Sequence, residues 1–277
     1  MPSAARQYTN ELKRELGFLA AWPPGARIAL GDIGTINEDN VFVRASSLEL
    51  FGIPFKEAAA SKGTQTFQFA SAGAVEIGVK LAGQTSALVP SVPQAKAGLG
   101  IRFTREYATA FRAEGVRQRR IDDQVALARE VLALMRDERW DRDWSVVTEV
   151  VHATSTTALV GHSAGSGAEF EISGAAQGAG LELLSAEAGL RTVTSRDMQL
   201  MIVGTGGTTP LFRAMRVKRR WFIGKPELRA AYSDELKTLT TADEDLDEDL
   251  FEATPIYNGI ADRPDEPGPG GAGSSHR

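Results

Sequence analysis

Residues 161 to 165 read Gly-His-Ser-Ala-Gly, the G-x-S-x-G spacing that presents a nucleophilic serine in many hydrolases. That chemistry needs a strand before the serine, a helix after it to set the hydroxyl on a sharp turn, and a histidine base later in the chain. The run before Ser163 is Thr156-Thr157-Ala158-Leu159-Val160, and the run after it is Ala168-Glu169-Phe170-Glu171-Ile172-Ser173, an alternation of strand type. The only downstream histidine is His276, next to the last residue. The expectation is a hairpin turn between two strands, with His152 and His162 as strand or surface residues and no catalytic residue assigned. A serine hydrolase using Ser163 is the lesser alternative.

The other chemical spacings yield to plainer readings. Gly204-Thr205-Gly206-Gly207-Thr208-Thr209-Pro210 could cradle a phosphate through its amides, but it lacks the Lys-Ser/Thr ending of a P-loop, and a loop joining strands is expected. The acidic run from Asp243 to Leu250 has no EF-hand spacing. With no cysteine and only three histidines, disulfides, thiolate catalysis and cysteine or histidine metal clusters are not expected, and no cofactor is assigned. The densest basic stretch holds Arg213, Arg216, Lys218, Arg219, Arg220, Lys225 and Arg229, interleaved with Phe212, Trp221 and Phe222. Such a mixture suits nucleic acid or an anionic membrane surface, and the acidic segment that follows is placed to mask it.

That acidic end dominates the charge. Residues 233 to 277 carry 12 acidic against 3 basic residues, a net of −9, which leaves the first 232 with 28 basic against 24 acidic, or +4. The reading is a body over 1–232 and an acidic, largely disordered tail over 233–277, because charge, Pro and Gly cannot offset ordering entropy with buried apolar area. At 277 residues and 42% hydrophobic, the body can hold a core without staples. No apolar run is long enough for a spanning helix, and the N-terminus lacks the stretch of a secretory signal, so a cytoplasmic start is expected.

The elements that must position these residues can be read from periodicity. Tyr8, Leu12, Leu16 and Leu19 predict a helix over 4–21 that stops before Pro23-Pro24. ARIAL at 26–30 and NVFVRA at 40–45 read as strands. From Gln65 to Gly83, Phe67, Phe69, Val75, Ile77, Val79 and Leu81 occupy odd positions, a period of two broken by Ser71-Ala72-Gly73. A second ribbon carries Leu99, Ile101, Phe103, Tyr107 and Phe111, with Arg105 and Thr109 interrupting its apolar face. Residues 122–138 switch to helical period, with Asp122 or Asp123 as N-cap. Strand runs then return through 144–160, 168–173, 191–203 and 211–223. Sequential strands and two helices predict an α+β fold: a twisted, mainly antiparallel sheet with an N-terminal and a central helix packed on it.

This order of elements resembles that of bacterial gasdermins, small pore-forming proteins of bacterial cell-death defence. The segments that carry the resemblance are YTNELKRELGFLAAW-PPGARIAL, GAVEIGVKL, GLGIRFTREYATAF, the central helix, WSVVTEVVHATSTTAL and TPLFRAMRV, together spanning roughly residues 7 to 232. The likeness lies in pattern and order, not in a diagnostic motif. It implies a non-enzymatic, autoinhibited resting monomer whose short C-terminal segment is removed by a partner protease, after which two regions extend into membrane-spanning β-hairpins and assemble as a homo-oligomer at the inner membrane. Carried to this chain, the membrane-inserting strands are those of Phe67 to Leu81 and Leu99 to Phe111. Cleavage falls between Gly224 and Lys237, around Lys225, Arg229 and Lys237. Arg213, Arg216, Lys218, Arg219 and Arg220 contact anionic lipid or the tail, and no nucleic acid is expected. The palmitoylated cysteine typical near the family's N-terminus is absent, which implies insertion without that lipid. The alternative outside this family is a regulatory or interaction protein that uses the basic stretch and acidic tail to bind a partner.

Overall fold

The amphipathic spacing at the N-terminus folds as α1 (Ala4–Leu16), shorter than the pattern predicts. Ser3 starts the helix by accepting from the Arg6 amide at 3.1 Å, and Gly17, in the left-handed region at φ +69°, ends it. The cap turns the chain out of the helix, so Leu19, which continued the helical spacing, enters a sheet as β1 (Leu19–Ala20). In this computed structural model residues 3–59, 63–174, 179–219 and 249–253 are described. The second helical pattern folds as α2 (Gln124–Arg136), and of the two predicted caps Asp123 acts, accepting from the Ala126 amide at 2.8 Å.

The expected strand at 26–30 does not form. The Asp32 carboxylate accepts from the Ala29 amide at 2.8 Å, a local side-chain bond that turns the chain and delays pairing to β2 (Asp32–Ile36). The remaining strands are β3 (Phe42–Ser47), β4 (Gln65–Ala70), β5 (Val75–Lys80), β6 (Ala97–Phe103), β7 (Thr109–Arg120), β8 (Ser145–Ala153), β9 (Ser155–Gly161), β10 (Gly167–Ile172), β11 (Leu190–Arg196), β12 (Met198–Thr205), β13 (Thr208–Arg219) and β14 (Asp249–Ala253). Every named strand pair is antiparallel. The fold is α+β, as expected.

Two sheets result. The larger runs β1-β13-β8-β7-β9-β12, with β14 on β13, the β2–β3 hairpin on β8, and β4 on β7; the smaller runs β11-β10-β6-β5. Only Thr154 separates β8 from β9, and both pair with β7 in one register, Arg117 facing His152 and Glu114 facing Ser155. They behave as a single long strand.

Burial follows the layers. Helix α1 covers one face of the large sheet, where Tyr8, Leu12 and Phe18 pack on Phe69, Phe111, Ala158, Val160 and Leu211. Helix α2 covers another part of that sheet, with Leu127, Val131 and Leu132 against Val146, Met215 and Val217. The small sheet encloses a further core, with Leu99, Ile101, Phe103, Ala168 and Phe170 on Ala110 and Leu159 of the large sheet, filled by Leu183 and Leu184 from a 3-10 turn (Gly180–Leu184).

Tyr8 exposes one detail of the α1 core. Its ring is fully buried beside Trp22 and Phe111, its hydroxyl finds no hydrogen-bond partner among the described residues, and burial pushes its phenol far above the usual range. An unsatisfied buried hydroxyl costs free energy that its removal restores. Tyr8→Phe is therefore expected to be neutral or to stabilise by up to ~1 kcal/mol, read as a raised denaturation midpoint at unchanged slope.

Candidate functional site

The expected hairpin around Ser163 is corrected by the pairing. β9 belongs to the large sheet and β10 to the small one, so the Gly-His-Ser-Ala-Gly turn carries the chain between sheets and does not close a hairpin. The same crossing occurs three more times: residues 71–74 join β4 to β5, 104–108 join β6 to β7, and Asp197 joins β11 to β12. These four crossings form one corner. In the large sheet the strands lie as β4-β7-β9-β12, and beyond the corner their continuations lie as β5-β6-β10-β11, in the same order. The unit is two long hairpins, β4–β5 with β6–β7 and β9–β10 with β11–β12, all bent at one line.

Register survives the bend in the two central strands. Arg102 faces Gly167 and Ala97 faces Ile172 on the small-sheet side, while Thr109 faces Val160 and Glu114 faces Ser155 on the other. The numbers of each facing pair add to one value throughout, so the central ladder neither gains nor loses a residue. The outer strands absorb the bend: the pairing of β4–β5 to β6–β7 shifts by two between Ala70 facing Ala110 and Val75 facing Phe103.

The odd-numbered apolar set is thereby divided. Phe67, Phe69 and Phe111, with half-buried Tyr107, pack under α1, whereas Val75, Ile77, Leu99, Ile101 and Phe103 pack in the inter-sheet core. Val79 is 44% exposed and Leu81 60% exposed at the end of β5. One parity thus serves two cores, one on each side of the corner.

Polar side chains pin the corner where the ladder is interrupted. Glu11, on α1, has a side chain only 5% exposed, and accepts from Ser71 Oγ at 2.5 Å, Arg105 Nη2 at 2.5 Å and Gln7 Nε2 at 2.7 Å. Ser71 Oγ in turn accepts from the Thr109 amide at 2.9 Å. Arg105 and Thr109, the two breaks in the apolar alternation, therefore mark where α1 fastens the first hairpin. In the second hairpin Ser163 donates to the Asp197 carboxylate, Ser166 Oγ donates to the Ser163 carbonyl at 2.7 Å, and Asp197 accepts the His162 amide through its own carbonyl at 2.9 Å.

Among the described residues no histidine hydrogen-bonds Ser163, whose hydroxyl donates to Asp197. The His162 ring lies 3.1 Å from Gln199 Oε1 through Nδ1, His152 sits on β8, and His276 lies outside the described residues. Among the described residues no group of three or more His, Cys, Asp or Glu side chains could hold a metal ion. No helix among them is long and apolar enough to cross a membrane.

The tips of both hairpins fold back. Residues 81–96 lie across the small sheet so closely that a Cβ on Gly100 would stand 2.1 Å from the Leu88 carbonyl oxygen. Buried Lys80 anchors this tip, donating to the carbonyls of Val92 at 2.6 Å and Pro93 at 2.8 Å. Ser91 donates to Glu169 of β10 through its hydroxyl and its amide. Glu171 accepts from Lys96 and Arg191, and those bonds hold its carboxyl below the usual range.

The basic stretch is divided as well. Arg213, expected to contact anionic lipid or the tail, has its guanidinium 2.9 Å from Glu149 Oε2, both side chains about a tenth exposed, and 4.1 Å over the Phe18 ring. Register explains this, because Arg213 faces Glu149 across β13–β8 and both point into the layer that α1 covers. Arg216 is half-buried. Arg216, Lys218 and Arg219 pair by backbone with Glu252, Leu250 and Asp249 of β14, a strand contributed by the acidic tail. Arg220, Lys225, Arg229 and Lys237 lie outside the described residues. Sequence reasoning did not find Glu11 or Asp197 and marked Ser71 only as part of the break in the first ribbon; the other trace of the Glu11 cluster was the polar interruption at Arg105 and Thr109.

No family model matches this chain, and no curated protein matches it.

These contacts lead to two expected outcomes. Ser163→Ala is expected to cost about 1 kcal/mol in chemical denaturation, the value of one hydrogen bond to a charged acceptor at a partly exposed site, and a serine-directed phosphonate is expected to leave the unsubstituted protein unlabelled. Arg213→Met strands Glu149 without its cation and is expected to destabilise by about 3 to 5 kcal/mol, most of it recovered in the Glu149→Leu/Arg213→Met double variant.

Proposed function

We propose that this chain is a non-enzymatic, autoinhibited pore-forming protein, gasdermin-like in its action. The two bent hairpins straighten, insert into a membrane as β-strands and assemble with other copies into a closed barrel. One observation carries the reading. The facing register of the central strands runs unbroken through the corner, and the same parity is apolar on both sides of it, polar only at Arg105 and Thr109, although the two halves serve different cores. A permanently bent pair needs no such agreement. A straight ladder does, because period two places one parity on one face.

Length supports the same reading. Straightened strands over 65–80, 97–120, 155–172 and 190–205 each exceed the roughly 9 to 11 residues that span the hydrocarbon layer. In lipid their backbones are satisfied only if the sheet closes, which makes a homo-oligomer a requirement of the mechanism. Before activation the apolar faces are covered by α1 and by the opposing sheet, so the resting form is a monomer in this reading. Opening requires release of Glu11 from Ser71 and Arg105, and of the tip that Lys80 anchors.

The tail is the inhibitory element. Its segment β14 adds to β13 beside the basic stretch, and cleavage between Gly224 and Lys237 by a partner protease would remove that strand together with the −9 charge, leaving a body of +4 facing anionic lipid. The protein would then move from the cytoplasm to the inner membrane, as in bacterial defence by cell death.

Leakage from vesicles containing an anionic phospholipid tests this. The chain truncated after Tyr232 is expected to release trapped dye while the full chain does not; absence of leakage by both rejects pore formation. Val79→Arg separates insertion from folding. The site is exposed in the folded chain, so its stability should stay within ~0.5 kcal/mol, whereas a charge on a lipid-facing strand costs about 2 to 4 kcal/mol near the midplane and should suppress leakage. Undiminished leakage by that truncated variant would remove β5 from the lipid-facing set.

A further inference from the structure

Strand β8 is buried along its length except at one position, His152. Its ring lies on the same face as Val150, two residues away, and both line a cavity of about 370 Å³. The walls come from the 25–30 segment that was expected to be a strand, from Arg119 on β7, and from Gly207, Thr208 and Thr209 at the glycine-rich turn that leads into β13. Of these groups only Arg119, near the end of β7, lies on a strand of the proposed pore, and the corner uses none of them.

The guanidinium groups of Arg27 and Arg119 and the imidazole of His152 line this cavity, and among the described residues no carboxylate does. Arg119 forms a two-pronged pair with Glu57, which holds the Glu57 carboxyl below its usual range. Arg27 and His152 have no hydrogen-bond or ionic partner among the described residues. A guanidinium and an imidazole gathered beside a glycine turn at one concavity can donate to phosphate oxygens, and the volume suits a small ligand.

We propose that this cavity binds the phosphate of a small phosphate monoester, held by Arg27 and His152 with the Gly207–Thr209 backbone beside it. The phosphate could belong to a soluble metabolite or to a lipid headgroup; its chemistry is the same in both. The site stands apart from the pore reading, since it needs no straightening of the hairpins and no cleavage.

Binding to the full chain tests it in two arms. Inorganic phosphate and phenyl phosphate are titrated by calorimetry, and vesicles carrying phosphatidic acid are compared by co-sedimentation with vesicles carrying the same charge as phosphatidylserine. Saturable binding is expected in at least one arm, weakened about tenfold in Arg27→Gln/His152→Gln and unchanged in Arg142→Gln, an exposed arginine outside the cavity. Both replaced side chains are exposed and unpartnered, so the double variant should keep the parent's circular dichroism and melting temperature. Dependence on Arg27 and His152 in the soluble arm alone assigns a metabolite; dependence in the phosphatidic acid arm assigns a headgroup. No saturable binding in either arm, or binding that survives in the double variant, overturns the site.

Discussion

Four strands bending at one line is the constraint on which the rest of this structure depends. At a corner the ladder hydrogen bonds stop, and backbone groups that leave the ladder must find other partners or stay solvated. Here side chains and a turn carbonyl supply them: Ser71 takes the Thr109 amide, Ser166 takes the Ser163 amide at 2.9 Å, and the Asp197 carbonyl takes the His162 amide. Glu11 then ties the first hairpin's share of the corner to α1. The helix position, the division of the core and the folding back of the tips all depend on where the bend lies.

Charge is arranged around the same geometry. Each buried carboxylate among the described residues has a cation: Glu11 has Arg105, Asp32 has Arg44, Glu149 has Arg213, and Glu171 has Lys96 and Arg191. Such pairs contribute little net stability, because desolvation offsets much of the attraction, but loss of one partner is costly. They favour one arrangement of helix and sheet over near alternatives. The proposed opening has to release the Glu11 cluster into water, where both partners are solvated, and that lowers its cost.

Much of the fold is legible in the sequence because periodicity reports which side of an element is apolar. Both helices, an N-cap at Asp122 or Asp123 and the two alternating ribbons can be read from spacing alone; the structure selects Asp123. Where spacing misleads, a local competitor wins: Gly17 ends α1 early, and the Asp32 carboxylate turns the chain where Ala26 to Leu30 has strand character. The G-x-S-x-G match is followed by a strand where the hydrolase motif needs a helix, and among the described residues no histidine bonds its serine. Its strands do not form a hairpin, however, because two alternating runs on either side of a turn look the same whether they pair with each other or with strands of different sheets.

The sequence by itself determined parity, helix faces and the split of charge between body and tail, since these depend on residue types at fixed short separations. Only the tertiary structure decided what covers each face. Odd positions of one ribbon lie under α1 and, past the corner, against another sheet; Arg213, one cation among many in its stretch, is taken up by Glu149 on a neighbouring strand. The gathering of Glu11, Ser71 and Arg105, and that of Arg27, Arg119 and His152, likewise depends on contacts between residues far apart in the chain. No local spacing encodes such contacts, because they are fixed by which strands find each other and in what register.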